Sequence, residues 1–165
     1  MPPYFNNSEL SPMKIDQRDR RIVEELQADG RLTNSELAER IGMSPSNCLR
    51  RVRALEEVGL IRGYTAIIDA KRAGYQLAVY ILVHLDQRIE TDAKSFLATV
   101  ARDERVIECS AITGSHDFMI KAVVEDIEAL GELSMETLLR LPSVKGLTSC
   151  LVIKTYKQAR AFQLS

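Results

Sequence analysis

Apolar residues recur every three to four positions through the first third of the chain and largely every second position afterwards, so helices should precede strands. Ile22, Val23 and Leu26 mark one side of a first helix that Asp16 can cap and that ends near Asp29-Gly30. Leu37, Ala38 and Ile41 mark a second. It opens at about Asn34 behind the capping box Thr33-Asn34-Ser35-Glu36 and closes at Gly42-Met43. Ser44 followed by Pro45 supplies an N-cap and a first-turn proline for a third helix, expected to run from Pro45 to Val58 and stop at Gly59. Cys48, Leu49, Val52 and Leu55 share one stripe of it and should pack against the helices before.

The other face of the third helix carries Ser46, Asn47, Arg50, Ala54 and Glu57, with Arg51 and Arg53 on its flanks. Short polar residues followed by arginines suit a helix whose N-terminal end enters the major groove of duplex DNA. Arginine can take guanine O6 and N7 together or clamp a phosphate, and the pattern leaves both roles open. A solvated helix face is the ordinary meaning of such a run, but local charge argues against it. From Arg40 to Arg72 seven basic residues stand against three acidic ones, inside a chain whose net charge is −1.

After Gly59 the stretch Leu60–Asp69 reads as one or two short strands, in the position of a wing or of a linker strand. Lys71-Arg72-Ala73-Gly74 breaks the pattern and sets a domain boundary. Beyond it, Leu77–Asp86 is a strand with Val79, Ile81, Val83 and Leu85 on one face and Tyr80, Leu82 and His84 on the other. A helix over Thr91–Arg102 presents Ala93, Phe96, Leu97 and Val100, and Asp86, Glu90 and Asp92 flank the loop that it caps. Val106–Thr113 and Asp117–Glu125 form a hairpin across Gly114-Ser115-His116. Asp126 caps a helix with Ile127, Leu130, Leu133 and Leu138 inward, which Pro142 ends, and Val144–Tyr156 is the last strand. The order βαββαβ is that of ferredoxin-like domains, so the fold class is α+β: an N-terminal three-helix, winged helix-turn-helix domain and a C-terminal ferredoxin-like domain. One sheet face stays uncovered, and with Tyr80, Leu82, Met119 and Val123 on it the chain should form a two-fold homodimer. His84, alone beside Leu82, reads as an interface or satisfied core residue.

The 165 residues, 45% apolar and 27% charged, are enough for two small globular domains. The expected division is an arm at residues 1–12, a helix-turn-helix domain at 13–63, a linker strand or wing at 64–76 and an oligomerisation domain at 77–165. No apolar run approaches the roughly 20 residues that span a bilayer, and the first residues lack a signal pattern, so the expected location is cytoplasmic with no membrane partner. Cys48, Cys109 and Cys150 are scattered, without a CxxC pair, which predicts buried free thiols and neither metal nor disulfide. No paired catalytic carboxylates, nucleophile elbow, P-loop or Rossmann glycine pattern appears, so neither enzyme activity nor a cofactor is expected.

The chain resembles the Lrp/AsnC (leucine-responsive, feast/famine) transcriptional regulators over about Met13 to Gln163. The pieces that carry the likeness are Asp19–Arg31 (DRRIVEELQADGR), Ser44–Glu56 (SPSNCLRRVRALE), Ile61–Ala66 (IRGYTA), Thr113–Phe118 (TGSHDF) and Glu136–Val144 (ETLLRLPSV). The resemblance implies dimers paired through open sheet faces and assembled further, to tetramers or octamers, that wrap or bend DNA. It implies an amino-acid effector bound in the C-terminal domain at the contact between dimers. The matching loop is Gly114, Ser115, His116, Asp117 and Phe118, with contributions from Thr148, Ser149 and Cys150. Gly114 lets backbone N–H groups approach a carboxylate, and Asp117 could pair with an α-ammonium, although the same residues would also make an ordinary turn. His116 stands where many relatives carry an aromatic or another residue.

Sequence and resemblance together give a sequence-specific DNA-binding regulator of transcription whose assembly or DNA affinity responds to an amino acid or similar metabolite. Its DNA-contact candidates are Ser44, Ser46, Asn47, Arg50, Arg51, Arg53 and Arg62, with Ser46, Asn47, Arg50 and Arg51 reaching the groove and Arg53 and Arg62 the backbone. The alternative is an architectural DNA-wrapping protein with no physiological ligand.

Overall fold

The computed structural model describes residues 15–86 and 90–157. The arm expected at residues 1–12 and the capping roles expected of Glu90 and Asp92 lie outside what is described. Two compact units emerge, residues 15–67 and 68–156.

The first unit contains α1 (Gln17–Ala28), α2 (Asn34–Ile41) and α3 (Pro45–Glu57). Its core is Ile22, Val23, Leu37, Ala38, Ile41, Cys48 and Leu55, so the apolar spacing of each helix points where it was expected to. The Thr33–Glu36 capping box forms: Glu36 N–H donates to Thr33 Oγ1 at 3.3 Å and Thr33 N–H to Glu36 Oε2 at 2.8 Å. These bonds stabilise the ionised carboxylate, with the Thr33 hydroxyl the largest contributor, and hold the Glu36 carboxyl below its usual range. Gly59 closes α3 at φ 74°, a left-handed turn in which Leu60 N–H returns to Leu55 O at 3.0 Å. Ser44 departs from expectation. Its side chain makes no capping hydrogen bond to α3; its Oγ lies 3.5 Å from that of Ser46. The helix start is held instead by Asn34, whose Nδ2 donates to Pro45 O at 2.8 Å, tying the first residue of α2 to the first of α3.

Arg51 is a further correction. In place of an outward flank, it turns toward α1 and puts Nη1 2.8 Å from Asp16 Oδ2 and 2.6 Å from Asp19 Oδ1. Asp16 and Asp19 already form the capping box of α1, each accepting the other's backbone N–H. Arg51 therefore takes the remaining oxygen of each carboxylate, and Asp19 is buried beneath it. The Asp19 backbone N–H, aided by Arg51, holds the Asp16 carboxyl below its usual range. Leu49 also departs from the expected packing. It is 38% exposed because it lines a groove of about 210 Å³ with Leu26, Leu32, Leu37, Val52 and Tyr64 instead of filling the core.

No strand forms between residues 58 and 76, where one or two were expected. A ladder needs a second strand, and this stretch has none to pair with in a single chain. Tyr64, Ile67 and Ile68 are consequently exposed. At the expected break Asp69 folds the chain back, its Oδ1 accepting from Lys71 N–H at 3.0 Å and Arg72 N–H at 3.2 Å.

The second unit holds β1 (Leu77–Leu85), α4 (Glu90–Val100), β2 (Val106–Ala111), β3 (Phe118–Val124), α5 (Ile127–Gly131) running into a π-helical stretch Glu132–Leu138, and β4 (Val144–Leu151). The sheet is antiparallel in the order β2-β3-β1-β4. Both helices pack on one face, where Val79, Ile81, Val83, Leu85, Ile120, Ala122 and Val124 meet Phe96, Val100, Leu130, Leu133 and Leu138. Phe96 and Phe118 stack at a tilt with centroids 5.0 Å apart. The other face carries Tyr80, Leu82, Met119 and Val123, half-buried and without a helix over them.

Two residues assigned to inward stripes point outward. Leu97 lies one residue past Phe96, about 100° around α4, and is 41% exposed. Ile127 is the first residue of α5 and has no preceding turn to shelter it. Asp126 does cap α5, its Oδ1 accepting from Ala129 N–H at 2.9 Å. In the π-helical stretch Leu139 N–H donates to Ser134 O, five residues back, and the widened turn brings Ser134 inward to within 3.4 Å of Ser149 Oγ. Of the thiols expected to be buried, Cys48 is fully so, and burial raises the pKa of both Cys48 and Cys109. Cys150 is exposed, because it lies on the uncovered face of an edge strand.

Replacing Phe96 by Ala should cost about 3–5 kcal/mol of unfolding free energy, and Leu97→Ala less than about 1, measured by urea unfolding at fixed protein concentration. Arg51→Ala should cost about 1–3 kcal/mol, since it leaves the Asp19 carboxylate buried without its cation, whereas Arg50→Ala should leave unfolding unchanged.

Candidate functional site

Two regions bring together polar side chains that the core does not need. The first is the outer face of α3. Ser44, Ser46, Arg50 and Arg53 are exposed on and before this helix, and Asn47 is half-buried beside them. Asn47 Oδ1 accepts from Arg50 Nη2 at 2.9 Å, which steadies the guanidinium one turn from the helix start. Arg51 does not share this face, as its bonds to Asp16 and Asp19 show. Arg62 is exposed beyond α3. Behind the helix, Tyr64 Oη donates to Glu56 Oε1 at 3.0 Å, and burial together with that carboxylate pushes the phenol up to about 12. Exposed cationic and amide donors on a helix held from behind can address phosphate oxygens and base edges.

The second region is the end of the sheet where β1 finishes and β3 begins. Gly114 turns the chain at φ 118°, and Ser115 Oγ lies 3.0 Å from His116 Nδ1. Asp117 is engaged with β1: its Oδ2 accepts from Leu85 N–H at 2.8 Å and lies 3.0 Å from His84 Nδ1, while its own N–H donates to Val83 O at 2.9 Å. Asp117 thus has bonds on the neighbouring strand that a turn reading alone does not supply.

The effector candidates do not all converge. Phe118 faces the helices against Phe96, and Ser149 faces them against Ser134. Thr148 pairs with Leu82 and lies on the uncovered face with Asp117 and His84. Cys150 shares that face but pairs with Tyr80, further along the strand. His84 is the residue that the sequence reading set aside: it has a partner, Asp117, found only when β1 and β3 pair. Among the described residues, no cluster of His, Cys, Asp or Glu is arranged to hold a metal ion, and no helix is long and apolar enough to cross a membrane.

Comparison with known proteins bears on both domains. Residues 15–62 match the winged helix-turn-helix DNA-binding family, and residues 78–162 match the Lrp/AsnC ligand binding domain. The chain is 39% identical to the leucine-responsive regulatory protein of Salmonella typhimurium over 145 residues, covering 88% of each. A transcriptional regulator of Neisseria meningitidis, solved as its L-methionine complex, superposes with a TM-score of 0.84 at 35% identity, covering 87% of this chain and 92% of that one. The feast or famine regulatory protein of M. tuberculosis, also solved with L-methionine, gives 0.81 at 32% identity, covering 90% and 98%. With a helix-turn-helix unit that presents an arginine face and an open-faced ligand-binding domain, each matched in order along one chain, the protein belongs to the Lrp/AsnC family of transcriptional regulators.

Proposed function

We propose that residues 13–63 read duplex DNA, that 64–76 link the domains, and that 77–165 bind an amino acid and assemble the chain. The outer face of α3 carries the DNA-binding reading. Its exposed arginines and short polar residues serve no core, and Asn47 holds Arg50 in place. Arg50 addresses a base edge, while Arg53 and Arg62 hold phosphates. Arg51 acts from behind by locking α3 to α1 and does not contact DNA. The protein acts in the cytoplasm and performs no catalysis.

The uncovered sheet face supports a homodimer. Tyr80, Leu82, Met119 and Val123 are apolar positions without a helix over them. A second copy covers this face through a two-fold interface, and dimers join into tetramers or octamers. Such a dimer presents two α3 helices to half-sites about one helical turn apart. The effector is an amino acid, with L-methionine the first candidate because two relatives were solved with it. An effector shifts DNA binding only through its difference in affinity for the assembled states.

On a selected DNA site, Arg50→Ala should cost about 1–3 kcal/mol and relax preference at one base, while Arg53→Ala should weaken all sequences alike and reduce the salt slope by about 1. Uniform weakening by Arg50→Ala would make it a phosphate contact. Light scattering with each common L-amino acid should show one or more that change the particle mass. An unchanged mass, together with unchanged DNA affinity, would favour an architectural DNA-wrapping protein.

A further inference from the structure

We propose that Lys121 and Glu108 fix how two copies of this chain pair: across the two-fold axis, Lys121 of each protomer forms an ion pair with the partner's Glu108. The inference rests on the reading of the uncovered sheet face as the surface that a second copy covers.

A β-bulge creates the arrangement. Val106 pairs with Ala122 and Glu108 with Lys121, so Ile107 is one residue too many on β2. In a regular ladder Ile107 would stand opposite Lys121, and Glu108 opposite Ile120 under the helices. The bulge instead brings Glu108 to the uncovered face and lets Cys109 pair with Ile120 and pack against the core. An acidic and a basic residue are thereby set directly across from each other on neighbouring strands. Within one chain they form no ion pair. Lys121 leans the other way, its Nζ 5.9 Å from the centroid of the Tyr80 ring on β1. Glu108 is exposed and has no hydrogen bond or ion pair among the described residues.

Covering the face changes what these charges cost. Glu108, Lys121 and Tyr80 form one row across it, with Met119 and Leu82 in the row on one side and Val123 and Ala78 in the row on the other. Lys121 is half-buried already and lies on an inner strand between apolar rows, so a second copy would cut its ammonium off from water. A desolvated ammonium needs a carboxylate, and the face of the Tyr80 ring compensates it only in part. Asp117 on the same face is engaged with His84 and with Leu85 N–H, two rows away. Glu108 is the carboxylate placed in the row of Lys121. In a two-fold interface every contact occurs twice with the roles exchanged, so one acid and one base on the same face satisfy each other in both protomers. Apolar area alone would let the sheets slide over one another, whereas a reciprocal ion pair selects which rows meet.

Charge reversal in the full chain, followed by sedimentation velocity over a dilution series, tests the assignment. Lys121→Glu and Glu108→Lys should each weaken dimerisation by about 100-fold or more, because each sets like charges together at two symmetric contacts. The two single variants, one carrying an affinity tag and refolded together, should form a one-to-one heterodimer in which both contacts again join opposite charges. The double variant Lys121→Glu with Glu108→Lys should dimerise nearly as the unsubstituted chain does. Dimerisation restored in the double variant but not in the mixture would place the ion pair within one chain and overturn the proposal. Restoration in neither would mean that the substitutions merely damage the domain, and would overturn it too. Single variants that dimerise with unchanged affinity would also overturn it, leaving the homodimer reading intact. If the unsubstituted chain is a monomer, both readings fail together.

Discussion

The register of β1 governs the C-terminal domain. This strand lies between β3 and β4 and pairs with both, and side chains alternate with a period of two. Its odd-numbered residues from Val79 to Leu85 form the floor under the helices, and its even-numbered residues form the uncovered face. A slip of one residue would turn Val79, Ile81 and Val83 outward and send His84 into the core, so burial of the apolar set fixes the register. The same constraint sets His84 opposite Asp117. Packing on one face thereby determines the polar geometry on the other, without any interaction that the polar pair itself supplies.

In the helix-turn-helix domain the comparable task is to hold α3 while leaving its outer face free. Cys48 and Leu55 anchor the helix in the core, Asn34 ties its first turn to α2, and Arg51 clamps it to the capping box of α1. Isolated surface ion pairs contribute little, but Arg51 bonds two carboxylates that are already fixed by backbone N–H groups, so little further ordering is needed to form the pair. Four consecutive residues thus divide by orientation. Arg50 and Arg53 face solvent while Arg51 faces the protein, and Val52 lies half-buried between them.

Two surface side chains share one arrangement. A side chain at the surface is oriented by a partner anchored in the fold: Arg50 by Asn47, and His84 by Asp117. For Arg50, orientation before binding lowers the ordering cost that a contact with a base edge must offset.

Much of the molecule was determined by the chain alone. The helices, the cap at Asp16 and the capping box at Thr33, the βαββαβ order and both cores follow from local patterns, because caps and periodicity act over a few residues. Errors arose where a residue's role depends on something distant in sequence. Arg51 looked like its neighbours until α1 supplied Asp16 and Asp19, and Leu97, Leu49 and Ile127 belonged to the right helices but faced surface that only packing defines. The π-helical widening at Ser134 and the lack of a partner for residues 60–69 are likewise invisible to a fixed local period. His84 makes the point most directly: it lies 33 residues from Asp117 in the chain and 3.0 Å from it in the fold. Sequence determined which residues each strand contributes, and tertiary structure decided which of them meet, because strand pairing joins residues by register and not by distance along the chain.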